Sequence, residues 1–201
     1  CQNADIACEG AEDAAWRYVA PEEAVGLALR ARDRGCVGVA YTYNEPLVGY
    51  EYVRDVGRLA SEAGLANVLV SNGMVNEEPL AELLGIVDAA NIDLKGFTQG
   101  FYDTAGGDLS AVKRTIETLA ADPTCHLEVT TLVIPGLNDD PDEIDAAAAW
   151  LASLDLAIPY HLTRFFPCHR MLDRPPTPVS ALHALADVAH RHLSDVLLGN
   201  C

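Results

Sequence analysis

The chain has 201 residues, half of them hydrophobic, and a formal net charge of −17. That length and composition suit one α/β domain with a sizeable core and exclude a disordered chain, while the negative charge argues against nucleic acid and anionic membrane surfaces as partners. No apolar run approaches a membrane span, no signal-peptide pattern stands at the start, and the six cysteines, at 1, 8, 36, 125, 168 and 201, contain no C-x-x-C pair, so we read a cytoplasmic protein with reduced thiols in which Cys36 and Cys125 are core residues.

In chain order, the first predicted helix spans 21–34, with Pro21, Glu22 and Glu23 in its first turn and Gly35 past its end. Its cluster Arg30, Arg32 and Arg34 reads as cations complementing a helix dipole rather than as a nucleic-acid patch. A strand over 36–42 follows. A second helix over 46–63 places Tyr52, Val56, Leu59 and Ala63 on one face, with Gly64 as its stop. Then come a strand over 66–71, a short helix near 78–84 ended by Gly85, and a strand over 89–94. A helix near 109–121 carries Leu109, Val112, Ile116 and Leu119 on one side, and a strand over 125–134 ends at Pro135-Gly136. Asp140, Pro141 and Glu143 predict a capped helix start, with Asp140 as cap and Glu143 reaching back to it. A strand over 160–166, an extended loop over 168–178, a helix opened by Thr177-Pro178 and a strand over 196–198 complete one domain, 1–201. Alternation of six strands with helices predicts a parallel sheet, either doubly wound or a barrel.

Ligands of parallel α/β folds sit at the carboxyl ends of the strands. Here each strand ends in polar residues: Thr42, Asn44 and Glu45; Ser71, Asn72 and Gly73; Asp93 and Lys95; Thr130 and Thr131; His161 and Arg164. Singly, each has an ordinary structural reading. Glu45 before Pro46 can be a helix-start carboxylate, Asn72-Gly73 a turn, Asp93 and Lys95 a structural ion pair, and His161 a core histidine. Together they suit a zwitterionic small molecule: carboxylates hold an ammonium, a lysine holds a carboxylate, and amides and hydroxyls hold a ribose. Neither G-x-G-x-x-G nor a Walker A pattern is present.

The segments that carry these residues are Cys1-Gln2-Asn3, Tyr41-Thr42-Tyr43-Asn44-Glu45-Pro46, Ser71-Asn72-Gly73, Asn91-Ile92-Asp93-Leu94-Lys95-Gly96-Phe97, 129–139 (VTTLVIPGLND), 161–167 (HLTRFFP) and 172–178 (LDRPPTP). In these the chain resembles the radical S-adenosylmethionine (SAM) enzymes of the pyruvate formate-lyase-activating type, and within them is most similar to the AmmeMemoRadiSam-system enzymes. The resemblance implies a partial (β/α)6 barrel and a 4Fe–4S cluster on a C-x3-C-x2-C loop after the first strand. The SAM amino and carboxylate groups chelate the open iron, and an electron from the cluster cleaves SAM to methionine and a 5′-deoxyadenosyl radical that abstracts hydrogen. It implies that Glu45, with Asn44, binds the SAM amino end, that Ser71, Asn72, Asp93 and Lys95 contact SAM, and that His161 meets the nucleoside, with Arg164 and Phe165 near the site. It further implies a polypeptide substrate and a reduced flavodoxin- or ferredoxin-like electron donor.

Cys1 matches the third cysteine of the cluster loop and is the expected metal ligand. The other two, and the barrel's first strand, are then expected upstream, with family residues also beyond Cys201, so that these residues alone are expected to be inactive. Tyr43-Asn44 stands where the family has two glycines. Two other readings remain: a degenerate homologue that binds SAM or a partner without redox chemistry, and an aldolase-type barrel with Lys95 as Schiff base, which Asp93 opposes by keeping Lys95 charged.

Overall fold

The computed structural model describes residues 17–201. Six strands form one parallel sheet whose spatial order is the order of the sequence: β1 Gly38–Tyr41, β2 Ala66–Ser71, β3 Ala89–Asp93, β4 His126–Val133, β5 Tyr160–Arg164 and β6 Val196–Gly199. Around them run α1 Pro21–Arg30, α2 Tyr50–Glu62, α3 Glu77–Leu83, α4 Gln99–Ala105, α5 Leu109–Ala120, α6 Pro141–Leu154 and α7 Val179–Ala189. This order decides between the two expected architectures. Crossovers between parallel neighbours are right-handed, so a sheet that never reverses its order collects its helices on one face. A doubly wound sheet needs a reversal. The result is a singly wound, open, barrel-like sheet, in which β1 pairs only with β2 and β6 only with β5 among the described residues. The strand expected before Cys1 lies outside those residues.

Residues alternate along each strand between the helix-covered face and the open one. Leu69, Ile92, Val129 and Leu162 are buried under the helices, while Val70, Asn91, Thr130 and His161 point the other way and stay half-buried. Each buried branched side chain contributes roughly 1.5–3 kcal/mol. Val112, Ile116 and Leu119 of α5 and Ile144, Ala148 and Leu151 of α6 form the facing stripes.

Several elements differ from the sequence reading for local reasons. The first predicted helix breaks into α1 and a 3-10 turn, Arg32–Arg34, stopped by Gly35 at φ 90°. Arg32 reaches over to the carbonyls of Ala63 and Gly64 at 3.1 and 3.0 Å, so it caps the end of α2 rather than of its own helix. The second helix begins as a 3-10 turn, Pro46–Gly49, and its buried stripe is Val53, Val56, Gly57 and Ala60. Tyr52 stands outside that stripe with its hydroxyl on the Val19 carbonyl at 2.9 Å. Gly57 is required by contact: a Cβ there would lie 2.5 Å from Cγ2 of Ile86. Helix α4 is new; Thr98 caps its start and Gly106, at φ 77°, ends it. Asp140 caps α6 as expected, but Glu143 turns away to accept the Phe97 N–H.

The loop over 168–178 is strapped across the ends of β4 and β5. The buried Thr177 hydroxyl donates to the Val133 carbonyl at 2.6 Å and accepts from Phe165 N at 3.1 Å, and Arg174 donates to the Pro135 carbonyl at 2.6 Å. Among the described residues no helix is long and apolar enough to cross a membrane.

Candidate functional site

The carboxyl ends of β1 to β5 open on a cavity of about 470 Å³. Thr42, Tyr43, Asn44 and Glu45 line it from β1, Ser71 and Asn72 from β2, Asp93 and Lys95 from β3, Thr130 and Leu132 from β4 and Thr163 from β5, with Asn200 after β6. Six of the eight predicted binding residues therefore meet in one place. A wider, apolar groove of about 900 Å³ lies on the helical exterior between α3 and α5, and none of the strand-end residues reaches it. It gathers no comparable set of strand-end polar groups.

Glu45 caps the turn after β1, as its structural reading expects, and also lines the cavity. Its Oε1 accepts from Leu47 N at 3.0 Å, starting the 3-10 turn, and from the Ser71 hydroxyl at 2.8 Å; Oε2 accepts from Asn72 N at 2.7 Å. Three donors from two elements thus hold the carboxylate at the cavity wall. Ser71 is almost fully buried, and its hydroxyl both donates to Glu45 and accepts from Gly73 N at 3.0 Å. Its role in the structure is to aim Glu45. Asn72 makes the expected turn, its side-chain oxygen accepting from Met74 N at 2.8 Å. Gly73, at φ 71°, has no room for a side chain, since a Cβ would meet Ile92 at 2.8 Å.

Asp93 and Lys95 form an ion pair of 2.7 Å, partly exposed to the cavity. The backbone that carries them is fixed from three directions. Lys95 N donates to the Tyr102 hydroxyl at 3.2 Å, and the Lys95 carbonyl accepts from Asn138 at 2.7 Å. The Leu94 carbonyl accepts from the buried Thr131 hydroxyl, and Phe97 N from Glu143. Burial pushes the Tyr102 phenol up to about 12, with the Asp93 charge adding to it against the lowering effect of the Lys95 N–H. Lysine and aspartate are thereby presented on a rigid segment, which a binding site requires.

Tyr43 and Asn44 adopt positive φ, 63° and 25°, where glycine is at ease and side chains are strained. The backbone thus follows the path two glycines would take, yet keeps two side chains at the cavity mouth.

Two predicted residues lie elsewhere. His161 is on the open face below the cavity, its Nε2 2.8 Å from Oε2 of Glu128. Arg164 donates from Nε to the Thr177 carbonyl at 2.7 Å and stacks on Phe166 at 4.7 Å, so it anchors the strap. Cys1 lies outside the described residues, as does Cys8. Cys36, Cys125, Cys168 and Cys201 form no disulfide with one another, and no group of three His, Cys, Asp or Glu residues suited to a metal occurs among the described residues. Cys36 and Cys125 are half-buried against the core, and burial first, then Asp122 and Asp88, raises the Cys125 thiol to about 11.

Sequence reasoning missed Asn138, Glu128 and Asn200. Asn138 sits inside the quoted 129–139 segment, and only its burial and its three hydrogen bonds, to Lys95, Leu132 and Ile134, show that it ties the Lys95 segment to β4. Glu128 was readable as a lone carboxylate inside an apolar strand. Asn200 had no signal.

Comparison with known proteins bears on the family and the fold. The family model described as the radical SAM superfamily matches residues 1–150. An uncharacterized protein of Methanocaldococcus jannaschii is 35% identical over 202 residues; the match covers 100% of this chain and 59% of that protein, so the chain spans under two thirds of the relative's length. Among solved structures, a domain of pyruvate-formate lyase-activating enzyme from Bacteroides vulgatus superposes with a TM-score of 0.68 at 20% identity, over 81% of this chain and 99% of that one. Streptococcus suis SuiB bound to S-adenosylmethionine superposes with a TM-score of 0.75 at 8% identity, over 92% and 45%. SuiB bound to its precursor peptide SuiA gives 0.71 at 8% identity, over 92% and 42%. At these identities the structural likeness establishes the fold.

Proposed function

The chain belongs to the radical SAM superfamily, and from that premise we propose that the cavity at the strand ends is its SAM site, in an enzyme of the activating type acting on a polypeptide. The observation that carries the reading is the convergence of Glu45, Asp93 and Lys95, from three consecutive strands, on one cavity of small-molecule size. The donor set fits SAM. Glu45 and Asp93 supply carboxylates for an ammonium and sulfonium, Lys95 a cation for a carboxylate, and Asn44, Asn72 and Thr130 amides and a hydroxyl for a ribose.

Bound together, SAM and a 4Fe–4S cluster supply reductive cleavage and hydrogen abstraction. What this chain's residues do is position. Ser71 and Asn72 N hold Glu45 in one orientation; Asn138, Thr131 and Tyr102 hold the Lys95 segment; the strap under Arg164 and Arg174 closes the ends of β4 and β5. Such fixed groups bind without first having to be ordered. Cys1 would give one thiolate of the cluster. A polypeptide substrate is supported by the activating-enzyme likeness and by SuiB, which binds a precursor peptide. The electron would come from a reduced flavodoxin- or ferredoxin-like protein, in the cytoplasm.

The test uses the full-length protein, reconstituted anaerobically with iron and sulfide. Titration calorimetry with SAM should show saturable binding, and dithionite should yield 5′-deoxyadenosine and methionine. Binding without cleavage would reduce the reading to a non-redox SAM protein, and absence of binding would end it. Replacing Cys1 by Ala should abolish the cluster's visible absorption, and a normal iron content would refute its assignment.

A further inference from the structure

Below the rim, on the open face of the sheet, a second polar layer crosses three strands. Asn91 of β3 and Glu128 of β4 are register partners. His161 of β5 sits beside them, its Nε2 2.8 Å from Oε2 of Glu128, while His126 Nε2 lies 3.1 Å from Oε1. The Thr130 hydroxyl donates to Asn91 Oδ1 at 2.7 Å, and Asn91 Nδ2 approaches Oε2 of Glu128 at 3.5 Å. Thr130 belongs to both layers, since it also lines the cavity. The interior layers of such barrels are ordinarily filled by branched apolar residues. A carboxylate held between two imidazoles is a departure from that filling.

Burial alone would raise the Glu128 carboxyl, but hydrogen bonds from His126 and His161, with their charge, outweigh it and hold it below the usual carboxylate range. An ionised carboxylate only accepts, so when the His161 ring carries a single proton, that proton sits on Nε2. The other nitrogen, Nδ1, is then a lone-pair acceptor, and it makes no hydrogen bond among the described residues. His126 is the more exposed of the two rings and occupies the second carboxylate oxygen, which keeps Glu128 turned as it is.

We infer that Glu128 is a positioning residue that locks His161 as the Nε2–H tautomer, so that Nδ1 accepts a hydrogen bond from an N–H or O–H donor of the nucleoside, an exocyclic amine or a ribose hydroxyl. This rests on the reading of the cavity as the SAM site, with the nucleoside extending from it past Thr130, whose register partner is His161. It adds a residue two positions deeper on β4 and a polarity to the contact: the ligand group met by His161 is a donor.

The experiment is long-range 15N–1H correlation on the full-length protein labelled at histidine, with His161 assigned by loss of its signals in His161→Asn, and SAM titration alongside. Wild type should show His161 as Nε2–H at neutral pH. Glu128→Ala should release the ring into a tautomer mixture and weaken SAM roughly tenfold, the loss of one good hydrogen bond. Glu128→Gln, whose carbonyl accepts the same N–H, should keep both tautomer and affinity, a rescue that a purely electrostatic role would not give. A wild-type His161 that is Nδ1–H or doubly protonated overturns the inference. So does Glu128→Ala with unchanged SAM affinity in a protein whose Asp93→Ala variant has lost it. A wild type that carries the Nε2–H ring but never binds SAM fails on the site reading instead, so the two failures are separable.

Discussion

Asn67 and Asn91 lie inside neighbouring strands on opposite faces of the sheet, and their surroundings differ in kind. Asn67 is fully buried beneath α2. Its side-chain oxygen accepts from the Tyr41 hydroxyl at 2.9 Å, and its amide is shared among the Gly57 carbonyl, the Ser61 hydroxyl and the Ile86 carbonyl at 3.0–3.1 Å. The fold consumes all of its capacity, and it serves as a staple. Asn91, with Asp93 and Lys95 further along on the same open face, is half-exposed and has fewer partners. Polar groups of one sheet are thus structural where helices cover them and available to a ligand where no helix does.

The largest break in that comparison should come from alkali. Burial raises the phenols of Tyr41, Tyr102 and Tyr160, helped by Tyr52 at Tyr41 and by nearby acidic charge at the other two, while the hydroxyl contacts oppose it at Tyr102 and Tyr160. A raised folded pKa means that the unfolded chain releases its proton first. The stabilisation is therefore complete below the ordinary value of 10.0 and is lost as pH climbs from there toward the folded values. Denaturant midpoints should be level from pH 8 to 9 and fall steeply above 10; a flat profile to pH 12 would contradict the burial of these rings.

Replacing Asn67 by Ala should cost about 3 kcal/mol, because buried partners on β1, α2 and the loop before β3 are left unpaired. Urea unfolding measures it, and a loss below about 1 kcal/mol would mean that the covered-face network is not a staple. On the open face the expectation reverses. Asp93→Ala or Lys95→Ala should change stability by less than about 1 kcal/mol, since the pair is partly exposed, yet weaken SAM at least tenfold, about 1.4 kcal/mol, in the full-length protein. Large destabilisation with intact SAM affinity would make the pair structural after all. The smallest effect is at the rim. Tyr43→Gly relieves a left-handed backbone worth roughly 1–2 kcal/mol and returns part of it to unfolded-chain entropy, so stability should rise by up to about 1 kcal/mol. A thermal melt that falls instead would show that the Tyr43 ring packs.

By itself, the sequence determined the α/β class, the six strands, most helix starts and the polar strand ends. These follow from local rules: a run of β-branched residues closed by Gly or Pro, a capping Asp140, a Pro at a first turn. It also carried the family resemblance in short segments, which named eight contact residues, and six of the eight line the cavity. It left α4 unread, because Thr98 and Gly106 bracket too short an apolar pattern, although the cap and the stop were both present. The tertiary structure decided the rest. Strand order turned an undetermined parallel sheet into a singly wound one, and with it chose which face stays open. Only packing showed that Ser71 serves Glu45, that Arg164 serves the strap, that Glu143 leaves its own helix for Phe97, and that Asn138 and Glu128 stand behind Lys95 and His161. Those pairings join residues 13 to 46 positions apart. The physical reason is that periodicity and capping act within a few residues along the chain, whereas a side chain's hydrogen-bond partner is set by where the crossovers bring other strands.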